Sequence, residues 1–458
     1  MKERSNFTSK MGFVMAAAGS AVGLGNIWRF PYLAAKYGGG TFLLVYLILA
    51  VTFGFALMIT EVAIGRKTGL SAIGAFQALD KRFSFVGIMA SLVPIIIFPY
   101  YSVIGGWVIK YLVTFTTGGV HDAAGDGYFS EFIGSTGSPL LWFAVFMGLT
   151  AIVVILGVEK GVEKVSKIMM PILIVLTIII AIYSCTIPGA MEGVKYYIMP
   201  HMKDFSASTI IAAMGQMFYS MSLAMGIMVT YGSYMKKDTH LESSVRQIEL
   251  FDTGIAFMAG LMIIPAVFAF SGGDRSALSA GPGLMFITLP KVFDSMPMGG
   301  VIGACFFLLV LFAALTSAIS LMETIVSIFM DKFHWKRKGA SIFVFGLALL
   351  LGIPSSMGFG ALSGISWKGM SILDIMDFVS NNVLMPIVAF FTCVLVGFVL
   401  KTKVIEDEVK ATDGTFSGQN LFRIMIKWVA PVFLILILVS YVATGLKIDL
   451  GPLNFLKV

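Results

Sequence analysis

The stretch of residues 18–31 reads AGSAVGLGNIWRFP. Its three glycines, Gly19, Gly23 and Gly25, lie close together in an otherwise apolar segment. Each glycine weakens a helix by about 1 kcal/mol relative to alanine. We therefore predict that a helix begins before this stretch and is interrupted near Gly23 and Gly25.

An interrupted helix inside a membrane is tolerated where its backbone lines a cavity. The free carbonyls can then bind a cation, and the start of the second half-helix can receive a carboxylate. The alternative is that the glycines allow two helices to pack closely. Asn26 and Arg29, which are polar and lie in the same segment, favour the binding role.

The rest of the chain has the composition of a membrane protein. Of its 458 residues, 58% are hydrophobic and 12% are charged, whereas soluble domains carry about 25% charged residues. Mean hydropathy is +0.92. Long unbroken apolar runs, such as 140–156 and 432–443, predict helices and not the alternating strands of a barrel. We predict an all-α polytopic protein in a lipid bilayer.

The apolar runs predict eleven spans within a single transmembrane domain that covers residues 1–458. Lys and Arg lie mainly in the segments on the same side of the membrane as the N-terminus. This bias predicts a cytoplasmic N-terminus and an extracytoplasmic C-terminus in the cell membrane. This bias also explains the net charge of +7, so we predict no nucleic-acid partner. The predicted spans are 11–36, 40–65, 85–117, 139–157, 166–186, 208–233, 247–271, 299–330, 340–356, 372–400 and 424–446.

A second interruption is predicted in the sixth span, where residues 215–230 read GQMFYSMSLAMGIMVT. Glycine and hydroxyl side chains in mid-membrane, five spans after the first interruption, are typical of transporters built from inverted repeats. We predict one repeat at about 11–186, a second at about 208–400, and an extra helix at about 424–446.

Polar residues in two other spans are further candidates. Thr316 and Ser317 in the eighth span can offer hydroxyl oxygens to a hard cation such as Na⁺. The alternative is that both hydroxyls bond to carbonyls of the preceding turn. On these two residues alone, we favour this alternative. Asp252 in the seventh span is an intramembrane carboxylate and therefore a functional candidate.

Enzyme signatures are missing from the sequence. Its four histidines lie in loop regions without the spacing of metal ligands. It also lacks a Walker A motif and a dinucleotide-binding fingerprint. We predict that the protein is not an enzyme and that transport draws on an ion gradient.

The stretch GSAVGLGNIWRFP resembles the first-helix signature of the neurotransmitter:sodium symporter family, whose members have the LeuT-type fold. The resemblance covers essentially the whole chain, and eleven spans are similar to the shorter bacterial amino-acid transporters of the family. Further matching motifs follow in the same order: GGGTFLLVYL at 38–47, GQMFYSMSLAMG at 215–226, MFITLP at 285–290 and LTSAISLME at 315–323.

The resemblance implies two Na⁺ ions and one substrate near the membrane midplane. For the first ion it implies the Ala21 carbonyl, Asn26, Ser220, Asp252 and the carboxylate of the substrate. For the second ion it implies the carbonyls of Gly19, Val22 and Ala313 with the hydroxyls of Thr316 and Ser317. Ligand sets made only of oxygen suit a hard cation, so the resemblance reverses the interpretation of Thr316 and Ser317.

The resemblance also implies a substrate pocket. Relatives that carry monoamines have Asp at the position of Gly23, and glycine there leaves room for the carboxylate of an amino acid. Met225 is adaptable and can accept large side chains. We therefore expect a small neutral L-amino acid, hydrophobic or aromatic. The implied contacts are the backbone near Ala21, Gly23 and Gly25, the hydroxyls of Tyr101 and Ser220, and the pocket residues Ile97, Tyr219, Ser222, Met225, Ser317 and Leu321.

Two gating pairs are implied in the same way. Arg29 and Asp377 resemble the outer pair, and Arg4 and Asp331 resemble the inner pair. Between Gly161 and Pro171 of the fifth span, the resemblance implies an unwinding that admits water to the second ion. A simple proline kink is an equal alternative.

These features together predict Na⁺-coupled symport of an amino acid into the cell by alternating access. Asp252 supplies a fixed negative charge where chloride-dependent relatives have a neutral side chain, so we expect chloride-independent transport. The alternatives are an amino-acid sensor with the same site that does not transport, and an ion channel.

Overall fold

The computed structural model describes residues 6–274, 277–278 and 281–457, without the side chains of residues 455 and 456. Within these ranges, nine continuous helices of 19 to 36 residues are long and apolar enough to cross a membrane. We number them by the span to which they belong. They are Gly40–Thr68 (span 2), Lys81–Thr116 (span 3), Gly137–Ile155 (span 4), Val158–Thr186 (span 5), Leu241–Ser271 (span 7), Gly299–Phe333 (span 8), Arg337–Met357 (span 9), Ile372–Val399 (span 10) and Gln419–Gly445 (span 11).

Span 1 is a bent pair of helices. Helix 1a covers Lys10–Ala21, helix 1b covers Gly25–Lys36, and their axes differ in direction by 54°. Val22, which directly follows helix 1a, has an extended backbone with φ −75° and ψ 97°. The predicted interruption near Gly23 is therefore confirmed.

Span 6 is broken more widely. Helix 6a covers Ala207–Ser220 and helix 6b covers Ile227–Ser233. In the segment between them, Ser222 and Ala224 have φ values of 54° and 59°, which are uncommon for residues with a Cβ. Each half is shorter than the roughly 20 residues that a span requires. Span 6 is thus present as two short helices, and among the described residues ten of the eleven predicted spans have the length and composition of a membrane-crossing helix or bent pair.

The two broken spans lie at the centre of the helix bundle. Helix 1a packs against spans 5, 7 and 8, and helix 6a packs against spans 2 and 11. Helix 6b and span 2 touch backbone to backbone. A Cβ at Gly65 would overlap the Val229 carbonyl, and a Cβ at Gly232 would overlap the Val62 carbonyl. Glycine is required at both positions by this close approach.

Short helices connect the spans. In one of them, Lys403–Asp413, Glu408 forms ion pairs with Arg66 at the end of span 2 at 2.9 Å and with Lys237 after helix 6b at 3.2 Å. The other short helices are Ala72–Leu79, Val120–Ala124, Tyr128–Gly134, Ala190–Ile198, Met202–Asp204, Leu284–Thr288, Leu289–Ser295 and Gly451–Leu456.

Candidate functional site

The broken segments of spans 1 and 6 line a central cavity of about 30 Å³, together with side chains from spans 3 and 8. All residues predicted to contact a substrate lie on its wall. Three further wall residues, Ser20, Leu24 and Ile227, were not predicted, because side chains in or next to a non-helical segment follow no periodicity. The predicted residues on the wall are Ala21, Gly23, Gly25, Ile97, Tyr101, Tyr219, Ser220, Ser222, Met225, Ser317 and Leu321.

Glycine at position 23 keeps the cavity open. A Cβ there would lie 2.8 Å from Ser317 Oγ and 3.1 Å from the Tyr101 hydroxyl. The same hydroxyl accepts a hydrogen bond from the Leu24 N–H at 3.4 Å. At Gly25 a Cβ would lie 2.7 Å from the ring of Tyr219. The break in span 1 therefore fits closely against spans 3, 6 and 8 and leaves space only where glycine stands.

Asp252 of span 7 is fully buried and joins spans 1, 2 and 6. Its Oδ1 accepts hydrogen bonds from Asn26 Nδ2 and from Ser220 Oγ, both at 2.7 Å. Its Oδ2 accepts one from the Tyr46 hydroxyl at 3.3 Å. The side chains predicted for the first ion are thus in direct contact. Ala21, the last residue of helix 1a, lines the central cavity.

The Asn26 amide is oriented in a way that the sequence does not reveal. Its nitrogen faces Asp252, and its oxygen accepts a hydrogen bond from the Gly23 N–H at 3.1 Å. A cation beside Asp252 needs the amide oxygen as its ligand. An ion bound beside Asp252 as predicted would require this amide to turn over.

The residues predicted for the second ion lie where helix 1a meets span 8. Ser317 Oγ lies 3.3 Å from the Gly19 carbonyl, 3.5 Å from the Val22 carbonyl and 3.0 Å from the Ser20 carbonyl. Thr316 Oγ1 instead donates to carbonyls of its own helix, including that of Ala313 at 3.1 Å. The alternative of a hydroxyl bonded to the preceding turn thus describes Thr316, whereas Ser317 reaches across to span 1.

A larger outer cavity of about 580 Å³ contains both residues of the predicted outer gate, Arg29 and Asp377. Tyr219 lines this cavity and the central one, and so separates them. The Arg29 guanidinium lies 5.2 Å from the centre of the Tyr219 ring. Asp377 Oδ1 accepts hydrogen bonds from the Tyr100 hydroxyl at 3.0 Å and from Asn381 at 2.6 Å. Among the described residues, no ion pair joins Arg29 to Asp377.

Of the two residues predicted for the inner gate, the structure describes only Asp331. Arg4 lies outside the described residues. Asp331, near the end of span 8, accepts a hydrogen bond from the Ser71 N–H at 2.8 Å. The predicted pairing of Arg4 with Asp331 stays a prediction.

Span 5 begins with a π-helical turn, Val158–Glu163, and continues as a helix through Pro171 to Thr186. Glu163 in this turn is buried and accepts a hydrogen bond from the Thr8 N–H at 2.7 Å. The turn after Gly161 is thus wider than an α-helical turn but still helical, and it contacts the start of span 1.

Comparison with known proteins identifies the family. The profile of the sodium:neurotransmitter symporter family matches residues 4–124 and 127–451. The chain belongs to this family. The sodium-dependent transporter YhdH of Bacillus subtilis (strain 168) is 37% identical over 449 residues, which cover 95% of this chain and 97% of YhdH. The human sodium- and chloride-dependent GABA transporter 2 is 25% identical over 458 residues, 89% of this chain and 75% of that protein.

The fold of this sodium:neurotransmitter symporter is confirmed by a solved structure. The crystal structure of MhsT in complex with L-phenylalanine is 39% identical and superimposes with a TM-score of 0.87, covering 96% of this chain and 100% of that one. The protein is therefore an all-α, multi-pass membrane protein with the LeuT-type fold and interrupted spans 1 and 6. It is a sodium-coupled symporter and not an enzyme.

Proposed function

We propose that this symporter carries a neutral L-amino acid with a hydrophobic or aromatic side chain into the cell, together with two Na⁺ ions and without chloride. The observation that carries the proposal is the wall of the central cavity, on which every residue has an uncharged side chain. Ile97, Met225 and Leu321 supply apolar surface there. MhsT, which shares the fold, was crystallised with L-phenylalanine, and this supports the same substrate class.

The α-amino and α-carboxylate groups of the substrate would lie against the break in span 1. Gly23 leaves the space, and the Tyr101 hydroxyl, 3.1 Å from where a Cβ would stand, is placed to donate to the carboxylate. A substrate without a carboxylate would find no acidic side chain at Gly23 to balance its ammonium group. This favours amino acids over simple amines.

The size of the central cavity limits how the substrate binds. Its 30 Å³ exceed the roughly 10–15 Å³ that one water requires, but they do not hold an aromatic side chain. Wall residues must therefore move when the substrate enters. Met225, with three rotatable side-chain bonds, is the wall residue best able to do so.

Two ions are favoured by two separate groups of oxygen atoms. The first group, around Asp252, joins spans 1, 6 and 7, and the second, around Ser317, joins spans 1 and 8. A ligand shifts a conformational equilibrium only by its different affinity for the two states. Ions that hold span 1 against its neighbours would shape the substrate site, which is the physical basis of coupling.

Chloride independence rests on Asp252. Its buried carboxylate would supply the negative charge beside the first ion. The human relative, whose name states a chloride requirement, is more distant than YhdH and MhsT. Replacing chloride with gluconate should leave Na⁺-dependent uptake unchanged, and loss of uptake in gluconate would contradict this part of the proposal.

We also propose the orientation in the membrane. The excess of Lys and Arg in the loops on the N-terminal side favours a cytoplasmic N-terminus and an extracytoplasmic C-terminus in the cell membrane. Protease or thiol-reagent accessibility in intact cells measures this directly.

A competition screen tests the substrate class. The common amino acids would compete for Na⁺-dependent binding to the purified protein, and we expect Leu, Phe, Tyr and Trp to compete far better than Lys or Glu. Preference for Lys or Glu would contradict the proposal. Counterflow in proteoliposomes then separates a symporter from a sensor, because a sensor binds without exchange. Conductance without substrate would instead indicate a channel.

A further inference from the structure

The Arg29 guanidinium in helix 1b is held by aromatic side chains. Arg29 Nη2 donates a hydrogen bond to the hydroxyl of Tyr441 in span 11 at 3.3 Å, and the guanidinium also faces the Tyr219 ring. Asp377, the predicted ionic partner, is bonded instead to Tyr100 and Asn381. Arg29 and Asp377 thus line one cavity while each is bound to other groups.

Tyr441 is held firmly in this position. It is 9% exposed and lines the outer cavity. Its hydroxyl lies against Gly215 of helix 6a, where a Cβ would overlap it. The absence of a side chain at Gly215 therefore makes the space in which the Tyr441 hydroxyl reaches Arg29.

The two possible partners of Arg29 differ in strength. A neutral hydroxyl accepts a single hydrogen bond from the guanidinium, whereas a carboxylate can accept two and forms the stronger, charge-assisted contact. Forming that contact would require Asp377 to share or give up its bonds from Tyr100 and Asn381. The neutral bond to Tyr441 is thus weaker than the contact that Asp377 could offer.

We propose that Tyr441 is a positioning residue of the outer gate, which holds Arg29 away from Asp377 while the outer cavity is open and releases it when the cavity closes. The proposal rests on the proposed alternating-access transport. It gives span 11, which lies outside both five-helix repeats, a part in gating.

The test follows the accessibility of the outer cavity in the full-length protein. Cys185, Cys305 and Cys393 are replaced with serine, and Asn382→Cys, in the wall of the outer cavity, is labelled from outside with a membrane-impermeant thiol reagent. In Na⁺ without amino acid, Tyr441→Phe should slow labelling roughly fivefold. The variant removes a hydrogen bond that Arg29 makes while the cavity is open, so the open state becomes less populated. Affinity for the substrate should rise by a similar factor, because closing becomes easier.

Two further variants make the result specific. Gly215→Ala should reproduce the effect of Tyr441→Phe, because the new methyl group displaces the hydroxyl from Arg29. Tyr183→Phe removes a hydroxyl that bonds the Pro297 carbonyl at 2.6 Å outside the outer cavity, and it should label like the parent protein.

Equal or faster labelling of Tyr441→Phe would overturn the proposal, and so would slower labelling with weaker substrate affinity, which indicates a damaged fold. The labelling arm requires only Na⁺. If no amino acid binds, the proposed function fails, while the labelling rates still decide the role of Tyr441.

Discussion

Gly23 shows how much one residue can determine in this protein. Substitution by alanine would place a methyl group 2.8 Å from Ser317 Oγ and 3.1 Å from the Tyr101 hydroxyl. We expect Gly23→Ala to weaken Na⁺-dependent binding of the substrate by about tenfold or more, since the methyl occupies the space for the carboxylate. Equilibrium binding measures this. Gly148→Ala, at a helix position with nothing within 4 Å of a new Cβ, is the matched control, and equal affinity of the two variants would contradict the role of Gly23.

Asp252 carries a second prediction at this scale. Asp252→Asn removes the fixed negative charge beside the proposed first ion, and we expect transport by the variant to require chloride. The measurement is uptake in chloride compared with gluconate. Asp80→Asn, which removes a partly exposed loop carboxylate, should remain independent of chloride. Identical uptake by Asp252→Asn in both salts would show that the carboxylate does not replace an anion.

Much of the central site can be predicted from sequence, and its hydrogen bonds cannot. Gly23 and Ser317 lie in motifs that the family resemblance assigns to one site, and the Ser317 hydroxyl does reach the Ser20 carbonyl of helix 1a at 3.0 Å. The orientation of the Asn26 amide and the contact between Arg29 and Tyr441 depend on which donor faces which acceptor. That information arises only from the packed structure.

At the scale of the helices, the two breaks differ in how visible they are. The break in span 1 is marked by glycines at 19, 23 and 25, and its position follows from composition. The break in span 6 puts Ser222 and Ala224 at positive φ, which their side chains disfavour by about 1–2 kcal/mol each. Surrounding helices impose that conformation, so its extent is not readable from local propensity.

The contact between spans 8 and 9 supports a prediction of stability. Glu323 is fully buried and bonds to Arg337 at 2.6 and 2.9 Å and to the Tyr234 hydroxyl at 2.7 Å. Removing one member of a buried ion pair leaves the other charge uncompensated, which costs about 3–5 kcal/mol. We expect Glu323→Gln to lower the thermal unfolding temperature of the purified protein clearly.

The control for this prediction is Arg82→Gln. Arg82 forms an ion pair with Asp80 at 2.7 Å, but its side chain is 75% exposed, and exposed pairs contribute at most about 1 kcal/mol. Unfolding temperatures that fall equally in both variants would contradict a special role for the buried pair.

For the whole molecule, composition and hydropathy were sufficient to predict the class of protein and all eleven spans, including span 6 at 208–233. Span 6 differs from the others because its halves of 14 and 7 residues are each too short to cross a membrane, and both halves pack against span 2. The arrangement of helices around the two broken spans depended on the family resemblance. Periodicity alone does not say which helices touch.

Coupling of ions and substrate should appear in the stability of the whole protein. A ligand present at a hundredfold its dissociation constant stabilises the folded state by about 2.7 kcal/mol. We expect Na⁺ and a hydrophobic amino acid together to raise the unfolding temperature by more than the sum of their separate effects. Choline in place of Na⁺ should abolish the effect of the amino acid, and a purely additive response would contradict coupling.

The backbone contact at Gly65 and Gly232 makes the packing of span 2 against helix 6b rigid. Side chains can absorb a displacement by changing rotamer, but two touching backbones cannot. Helix 6b has 7 residues, whereas span 2 has 29 and exposes Leu44 and Ile48 on its outer surface. We expect force on this lipid-facing surface to travel through span 2 into helix 6b, so that bilayer thickness and lateral pressure influence how tightly the central cavity closes.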